Sequence, residues 1–307
     1  MIPLLVIGGP TASGKTAVSI KLAKLLGGEI VSADSMQIYR HMDIGTAKPT
    51  PEERAGVPHH LLDIVEPTEK FSLAQYVPLA HKAIAEIDAR GNLPILVGGT
   101  GLYIDTVVNN IQLSKQEQTS TELRERLARL AEERGGVWLH SYLEQIDPQS
   151  AAAIHENNIK RMVRAIEYYE LTGETLSEHN RKSRQKPEKY RTYYMGLDLD
   201  RETLYHRIDN RVDMMMQQGL LEEVKHCVAL GATRQHTSMQ AIGYRQLLDY
   251  LEGRETLDAA VETIKRESRH YAKRQMTWFR RSVKHWVKPD EIVEQRLIQW
   301  RRGEIER

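Results

Sequence analysis

The chain has 307 residues, a formal net charge of +1 and a single cysteine, Cys227. One cysteine excludes an internal disulfide and any cysteine-based zinc site, and a charge near zero means that contact with nucleic acid must come from a local patch. The length predicts one large domain with an insertion, or two domains. Because no stretch has the character of a signal peptide or the length of a membrane span, we expect a cytosolic protein.

The first predicted elements are a strand and a helix on either side of a glycine-rich loop. Residues 2–7 are apolar, as in a buried strand, while Val18, Leu22 and Leu25 have helical spacing. The loop between them fits G-x-x-x-x-G-K-[ST], the phosphate-binding P-loop. It reads Gly9-Pro10-Thr11-Ala12-Ser13-Gly14-Lys15-Thr16.

In a P-loop, backbone N–H groups face an anion at the N-terminus of the following helix. Lys15 would then supply a charge to the phosphates, and the Thr16 hydroxyl would hold Mg²⁺. The alternative is a glycine-rich turn that binds nothing, which the order of strand, motif and helix disfavours.

A second strand is predicted at residues 29–33, and it ends at Asp34-Ser35-Met36-Gln37. Ligand chemistry in a parallel α/β sheet gathers outside the carboxyl ends of the strands. Asp34 is therefore expected near the phosphate site, or else as an ordinary cap or Asx-turn residue. The residue pattern leaves both readings open.

A loop-rich segment follows, with a short strand predicted at residues 59–65. Ser72 is expected to cap a helix that runs to about Arg90. Residues 94–97 form another buried strand, which leads into a glycine-rich turn with Thr100. Beside a P-loop, such a turn is expected to belong to the same pocket.

The pattern changes at residue 111 and becomes helical. One helix is predicted from Ser120 to Gly135, and a second one covers residues 158–171. The outer side of the second helix carries Lys160, Arg161 and Arg164. We interpret residues 111–192 as a mostly helical insertion.

A basic run at residues 180–191 closes this insertion. Such runs are usually solvated loops, although this one could also meet phosphates. A strand at residues 192–199 is then predicted to re-enter the sheet. The next helix carries Arg207 and Arg211 in a row beside its apolar stripe; on its own, such a pair is more typical of a solvated surface.

The last long helix is predicted over residues 256–286. Its second half is rich in basic residues with interleaved aromatic ones, Tyr271, Trp278 and Phe279. The basic residues are Lys265, Arg266, Arg269, Lys273, Arg274, Arg280, Arg281 and Lys284. Phosphate contacts combined with stacking surfaces favour RNA, and a solvated helix with a buried aromatic stripe is the alternative.

Together these motifs resemble the tRNA dimethylallyltransferase (tRNA isopentenyltransferase) family over nearly the whole chain. They are, in order, GPTASGKT, SADSMQIYRHMDIGTAKP, HHLLDI, VGGTGLYI, RIDNRVDMM with GLLEEV, SMQAIGYRQ and YAKRQMTWFRR. The resemblance implies an α/β fold with a P-loop NTPase-like parallel sheet flanked by helices. The catalytic core, with its basic C-terminal helices, would comprise residues 1–110 and 193–307, and the helical insertion at residues 111–192 would contact the tRNA anticodon stem-loop.

The resemblance also implies a reaction. The dimethylallyl group of dimethylallyl diphosphate would pass to N6 of adenosine 37, 3′ of the anticodon, in tRNAs that read codons beginning with U. The products would be N6-dimethylallyladenosine and diphosphate. On this reading the P-loop holds the diphosphate of the prenyl donor, with Mg²⁺, and the protein is expected to act on tRNA as a monomer.

The family's functional residues map onto this chain by motif. The resemblance implies that Asp34 is the general base at the adenine amine, and that Thr100 and Arg211 contact the diphosphate or its bridging oxygen. The implied tRNA contacts are Asp34, Ser35, Met36, Gln37, Lys160, Arg161, Arg164, Gly243, Tyr244, Arg245, Lys273, Arg274, Gln275, Trp278 and Arg280. The family often has Gln-Arg where this chain has Lys160-Arg161.

Two rival functions fit parts of this pattern. A P-loop small-molecule kinase would use ATP on the same fold, but has no need of a basic, aromatic terminal helix. A non-catalytic RNA-binding protein, with the P-loop as a nucleotide switch, would tolerate Asp34→Asn.

Overall fold

The computed structural model describes residues 1–111, 113, 120–183, 185, 187–291 and 293–305. The chain divides into two compact units, unit 1 with Met1–Val108 and Glu188–Arg307, and unit 2 with Asn109–Pro187. Within the basic run, positions 184 and 186 lie outside the described residues.

Unit 1 contains a parallel sheet whose six described strands are ordered β3-β2-β4-β1-β5-β6. The strands are β1 (Ile2–Gly8), β2 (Gly28–Ser32), β3 (His59–His60), β4 (Leu93–Gly98), β5 (Tyr190–Leu197) and β6 (His285–Val287). The predicted parallel α/β fold is confirmed. Because neighbours β1, β2 and β4 all run the same way, the loops after them meet at one edge of the sheet.

The described helices fall into both units. In chain order they are α1 (Lys15–Leu26), α2 (Pro51–Arg54), α3 (Leu73–Ala89), α4 (Gly101–Val108), α5 (Thr121–Arg134), α6 (Gly136–Ile146), α7 (Pro148–Ala153), α8 (Ile159–Thr172), α9 (Leu176–Ser183), α10 (Arg201–Gln217), α11 (Leu220–Ala229), α12 (Tyr244–Leu251), α13 (Leu257–Ser282) and α14 (Glu294–Arg302). Helices α5 to α9 lie in unit 2. No helix of the described ranges is long and apolar enough to cross a membrane.

Helices α1 and α14 cover one face of the sheet, and α3 packs against β1, β2 and β4. The apolar stripe predicted for α1 was partly wrong, because Leu25 is 50% exposed. Ile20 and Ala23 are buried beside Leu22 instead. Packing against the sheet and α14 selects this face, which the spacing of the larger residues alone did not reveal.

The strand predicted at residues 59–65 is shorter than expected. Only His59 and His60 pair with β2. Leu61 and Asp63 have φ values of 64° and 55°, in the left-handed region, which a strand cannot accommodate. The backbone therefore leaves the sheet after His60.

The predicted long helix also ends earlier, at Ser282, and is followed by strand β6. The pairing of β6 with β5 requires Gly196. A Cβ there would lie 2.9 Å from Cζ3 of Trp286, whose ring covers this position. Residues 285–287, which the sequence pattern predicted as the end of the helix, therefore form a strand because of the tertiary contact between Gly196 and Trp286.

Strand β5 begins at Tyr190, so the predicted insertion boundary at residue 192 falls within it. Arg191 lies in β5, paired with Pro3 of β1, and its guanidinium caps the C-terminus of α14. It donates hydrogen bonds to the backbone oxygens of Trp300 and Arg301, and it lies over the Trp300 ring. Those partners are more than a hundred residues away in the chain, so the local sequence reads as a basic loop.

Unit 2 is a helical cluster around a common apolar core that includes Leu127, Leu139, Leu143, Met162 and Ile166. The caps Ser120 and Asn158 begin α5 and α8 as predicted. Helices α6, α7 and α9 were not predicted. Each is at most eleven residues long, too short to be stable without tertiary packing.

Candidate active site

The P-loop joins β1 to α1 with an unusual backbone. Gly9 and Gly14 have φ values of 150° and 94°, and Ala12 has φ of 60°. A left-handed alanine costs about 1–2 kcal/mol. Its methyl group packs against the apolar cluster of Leu204, Ile208 and Ala272, which offsets that strain.

Lys15 lies at the start of α1 with its side chain folded over the loop. Its ammonium donates hydrogen bonds to the backbone oxygens of Gly9 and Pro10, at 2.9 and 2.6 Å. Burial and the nearby Arg211 cation lower the pKa of Lys15 to about 7, against the opposite effect of Asp34. An ammonium has three donors, so one N–H remains for an anion.

Two hydroxyl groups complete the loop. Ser13 is fully buried, and its Oγ has no hydrogen-bond partner among the described residues. An orphaned buried donor beside a positive helix N-terminus is what a bound anion would satisfy. Thr16, in the first turn of α1, is partly buried.

Arg211 reaches the loop from α10. Its Nη1 donates to Oγ1 of Thr11 at 3.4 Å, and burial lowers its pKa while Asp34 and Glu53 raise it. Arg207, one turn earlier, is exposed. The two arginines predicted as one row therefore have different surroundings, and only Arg211 adds a second cation beside Lys15.

Asp34 follows the end of β2. Its Oδ1 accepts a hydrogen bond from the Met36 N–H at 2.9 Å, which forms an Asx-turn. Its Oδ2 makes no hydrogen bond within the described part of the chain and lies 3.9 Å from where a Cβ of Gly99 would be. Asp34 is thus an Asx-turn residue, and the turn aims its second oxygen at the glycine-rich turn after β4.

Thr100 belongs to that turn and contacts the Asp34 segment. Its Oγ1 accepts from the Ser35 N–H at 3.1 Å, and its own N–H donates to the Ala33 oxygen at 3.2 Å. A Cβ at Gly98 would lie 2.1 Å from that same oxygen. Glycine is therefore required for the two strand ends to approach each other, and Thr100 holds the Asp34 turn in place.

Helix α13 contributes two side chains to the same region. Gln275 is 5% exposed, accepts from the Thr11 N–H at 2.9 Å, and donates to the Gly99 oxygen at 2.9 Å. Tyr271 lies one turn earlier, and burial and the Asp34 carboxylate raise its pKa to about 12, against hydrogen bonds with the side chains of Thr100 and Gln275. Sequence reasoning treated Tyr271 only as an interleaved aromatic; its i, i+4 spacing from Gln275 was the signal for an inward face.

Two other predicted tRNA contacts, Gln37 and Met36, have side chains that contact other parts of the protein. The Gln37 amide bonds to the Ser32 hydroxyl and to the oxygens of Thr46 and Ala47. Met36 packs against an apolar cluster in unit 1. Their backbones, with that of Ser35, continue the Asp34 turn.

The segment with Gly243, Tyr244 and Arg245 begins α12. Tyr244 is fully buried and its hydroxyl donates to Glu223 at 2.5 Å. Gly243 has φ of 98°, in the left-handed region, and Arg245 is partly exposed. Of these three residues, Arg245 has the side chain available for a ligand.

The cations of α13 differ along its length. Lys265 and Arg269 pair with Asp213 and Asp209 of α10. The remaining basic residues toward the C-terminal end are exposed, and none has a carboxylate partner within the described residues. They are Lys273, Arg274, Arg280 and Arg281 on the helix, and Lys284 two residues after its end. Trp278 is held inward, because its Nε1–H donates to Asp105 at 2.7 Å.

In unit 2, the three residues of α8 that were predicted to contact tRNA differ in their surroundings. Lys160 and Arg161 are exposed. Arg164 pairs with the fully buried Glu167, whose carboxylate also binds Arg124. Arg164 thus compensates a buried charge, whereas Lys160 and Arg161 are surface cations with no carboxylate partner among the residues that the structure describes.

The comparisons with known proteins agree on one family. The IPP transferase family profile matches residues 37–282, and the isopentenyl transferase profile matches residues 2–68. The tRNA dimethylallyltransferase of Acetivibrio thermocellus is 49% identical over 290 residues, 94% of this chain and 92% of that one. The Bacillus licheniformis tRNA dimethylallyltransferase is 50% identical over 281 residues, 92% of this chain and 88% of that one.

Solved structures are similar over the whole chain. The tRNA isopentenylpyrophosphate transferase of Bacillus halodurans is 44% identical with a TM-score of 0.72, covering 99% of this chain and 96% of its own. A eukaryotic dimethylallyltransferase acting on tRNA is 28% identical with a TM-score of 0.84, covering 100% of this chain and 81% of its own.

Proposed function

The chain belongs to the IPP transferase family, its activity is that of a tRNA dimethylallyltransferase acting on adenosine 37, and we propose that Asp34, Lys15 and Arg211 form its reaction centre. The donor would be dimethylallyl diphosphate and the acceptor atom N6. The substrates would be tRNAs that read codons beginning with U.

One observation carries this assignment. Two partly buried cations, Lys15 and Arg211, flank the P-loop, and the Asp34 carboxylate is close enough to raise the pKa of both. A metabolite kinase could share these cations and a carboxylate base, but it has no need of the exposed basic residues on α13. Prenyl transfer to an amine uses the cations for the leaving diphosphate and a nearby proton acceptor for the amine. Oδ2 of Asp34, which has no hydrogen bond within the described residues, would fill that role.

In the proposed reaction, a bond forms between N6 and the allylic carbon while the bond from that carbon to the diphosphate oxygen breaks. The adenine amine is a weak nucleophile, because its lone pair is delocalised into the ring. Asp34 Oδ2 would orient the amine and accept the proton that it loses as the bond forms. Lys15, Arg211 and the loop N–H groups would stabilise the negative charge that grows on the leaving diphosphate.

Thr100 would act at the junction between the two substrates. Its hydroxyl accepts from the Ser35 N–H at 3.1 Å and donates to the Ser35 hydroxyl at 3.4 Å. We propose that this keeps the Asp34 turn in register with the diphosphate, and that Thr100 also contacts the bridging oxygen.

The site fits a Mg²⁺ ion that arrives with the diphosphate. No group of three His, Cys, Asp or Glu side chains suited to a metal occurs in the described ranges. Mg²⁺ is commonly bound through one or two protein oxygens and substrate phosphates, and Thr16 in the first turn of α1 supplies a hydroxyl there. When bound, Mg²⁺ would neutralise part of the charge on the leaving diphosphate.

The proposed tRNA contacts are cations whose side chains are exposed or, for Arg245, partly exposed. In unit 1 they are Arg245, Lys273, Arg274 and Arg280, and in unit 2 they are Lys160 and Arg161. The target adenine must leave the stacked anticodon loop, at a cost of a few kcal/mol. Backbone contacts with these cations would offset that cost. We propose that the enzyme acts as a monomer in the cytosol.

We expect Arg274→Met and Arg280→Met to weaken tRNA binding. Each loses one phosphate contact, so the slope of log K against log salt concentration should become shallower by about 1. Filter binding at several salt concentrations measures the slope, with Lys82→Met on α3 as the exposed control. An unchanged slope in both arginine variants would exclude this part of α13 from the tRNA interface.

The function itself is tested by supplying labelled dimethylallyl diphosphate, labelled ATP and bulk tRNA to the purified protein. We expect the prenyl label to move to tRNA adenine and no phosphate label to move. Transfer of phosphate from ATP to a small molecule would instead support the kinase. Binding of tRNA with no transfer of either label would support a pure RNA-binding protein.

A further inference from the structure

Gln275 uses both ends of its amide inside the protein. Its oxygen accepts from the Thr11 N–H and its nitrogen donates to the Gly99 oxygen, both at 2.9 Å. The side chain is 5% exposed. An amide with both partners satisfied in a buried position has little to offer to an RNA backbone.

The two backbone groups that Gln275 joins belong to opposite halves of the site. Thr11 is at the tip of the P-loop, where Arg211 also bonds its hydroxyl. Gly99 precedes Thr100, which holds the Asp34 turn. A Cβ at Gly99 would lie 2.4 Å from Nε2 of Gln275, so this bridge requires glycine there. The diphosphate loop and the carboxylate are thus connected through one amide.

Helix α13 presents different residues on its two sides. Lys273 and Arg274 are exposed, whereas Ala272 packs in the cluster that supports Ala12. Gln275 lies with the inner residues. The helix that carries the proposed tRNA cations therefore also supports the tip of the P-loop.

We propose that Gln275 is a positioning residue, which aligns the donor loop with the Asp34 turn and couples both to the tRNA-binding helix. This rests on the proposed function and replaces the expectation that Gln275 contacts tRNA. Its loss would misalign the diphosphate and the base while leaving the tRNA surface intact.

Gln275→Met and Arg274→Met give the first test. Gln275→Met keeps the size of the side chain but removes both hydrogen bonds, so we expect the KM for dimethylallyl diphosphate to rise and kcat to fall, with kcat/KM lower by about tenfold or more. The Kd for tRNA should stay unchanged. Arg274→Met should have the opposite pattern, with a weaker Kd for tRNA and an unchanged KM for the donor.

Gln275→Glu gives a second test, the pH dependence of activity, which a purely structural role of Gln275 would not change. A protonated carboxyl group can accept from Thr11 N–H and donate to the Gly99 oxygen, as the amide does, but an ionised one can only repel that oxygen. The charged and titratable groups that face this position are Tyr271 on α13, Lys15, Arg211 and Asp34. We expect the activity of Gln275→Glu, relative to wild type at each pH, to rise as the pH falls from 8 toward 5.

Three results would overturn the proposal. They are a Gln275→Met variant whose main defect is in the Kd for tRNA, wild-type kinetics in that variant, and a Gln275→Glu variant whose relative activity does not depend on pH. Thermal melting of each variant identifies one that fails to fold, and recovery of Gln275→Glu at low pH is independent of that outcome. Failure of the proposed function would appear differently, as absent prenyl transfer by the wild-type protein.

Discussion

Asp34→Asn is expected to lower kcat for prenylation of tRNA by about 10²- to 10⁴-fold, the usual contribution of a general base. The amide cannot accept the proton that N6 loses when the new bond forms. Because the proton is lost only in the reaction, binding of tRNA should be retained. The effect should therefore appear in kcat and not in the Kd for tRNA.

The geometry indicates that Asp34→Asn keeps the backbone turn intact. Oδ1 of Asp34 accepts from the Met36 N–H, and the oxygen of asparagine can do the same, so the Asx-turn is preserved. Only Oδ2, which makes no hydrogen bond within the described residues, is replaced by a nitrogen. The variant thus removes proton acceptance and the negative charge that raises the pKa of Lys15 and Arg211, while the backbone of the turn stays in place.

Single-turnover assays with labelled donor measure the chemical step directly, and filter binding measures the Kd for tRNA. Asp200→Asn is the matched control, because Asp200 caps α10 through the Thr203 N–H and asparagine caps equally well. Turnover of Asp34→Asn at the wild-type rate would remove Asp34 from the role of base.

The parts of the site that could be predicted from the sequence are those whose position depends on the order of neighbouring strands and helices along the chain. The P-loop motif lies directly between a strand and a helix, so its backbone direction follows from its neighbours. Asp34 and Thr100 end parallel strands, and topology alone brings such ends to one edge. These predictions needed no knowledge of side-chain packing.

The parts that were not predicted depend on contacts between distant segments. Gln275 lies 264 residues from Thr11 in the chain, and its inward direction is set by how α13 packs. Arg207 and Arg211 are equivalent as sequence, yet only Arg211 reaches the P-loop. Strand β6 likewise depends on Gly196 and Trp286 meeting. A row of basic residues in the sequence indicates a positively charged surface. Only the fold shows which of these cations are exposed and which pair with carboxylates inside the protein.

Lys15→Met is expected to have opposite effects on activity and on stability. Loss of the cation should reduce kcat/KM by about 10²- to 10³-fold, comparable to removing one preorganised donor from a developing oxyanion. The ligand-free protein, however, should melt at a higher temperature than wild type near pH 7. Both effects have the same cause, a charge buried for a ligand.

The sign follows from the pKa of Lys15, which burial and Arg211 lower from 10.5 to about 7. Below pH 7 the ammonium is charged in the folded and the unfolded chain, so the folded state bears the full cost of burying it. Between pH 7 and 10.5 the unfolded chain binds more protons, and wild-type stability from this group rises with pH. The stabilisation by Lys15→Met should therefore be largest at low pH and shrink toward pH 10.

Calorimetry of the ligand-free protein from pH 6 to pH 10 measures how the melting temperature of each variant depends on pH. The control is Lys24→Met, because Lys24 is exposed on the same helix. Diphosphate should raise the melting temperature of wild type and Lys24→Met but not of Lys15→Met, because binding to the native state is what stabilises it. A Lys15→Met protein that melts below wild type at every pH would mean that the hydrogen bonds from Lys15 to Gly9 and Pro10 outweigh the cost of the buried charge. In that case Lys15 would serve mainly to hold the loop, and the cation for the leaving diphosphate would have to be Arg211 alone.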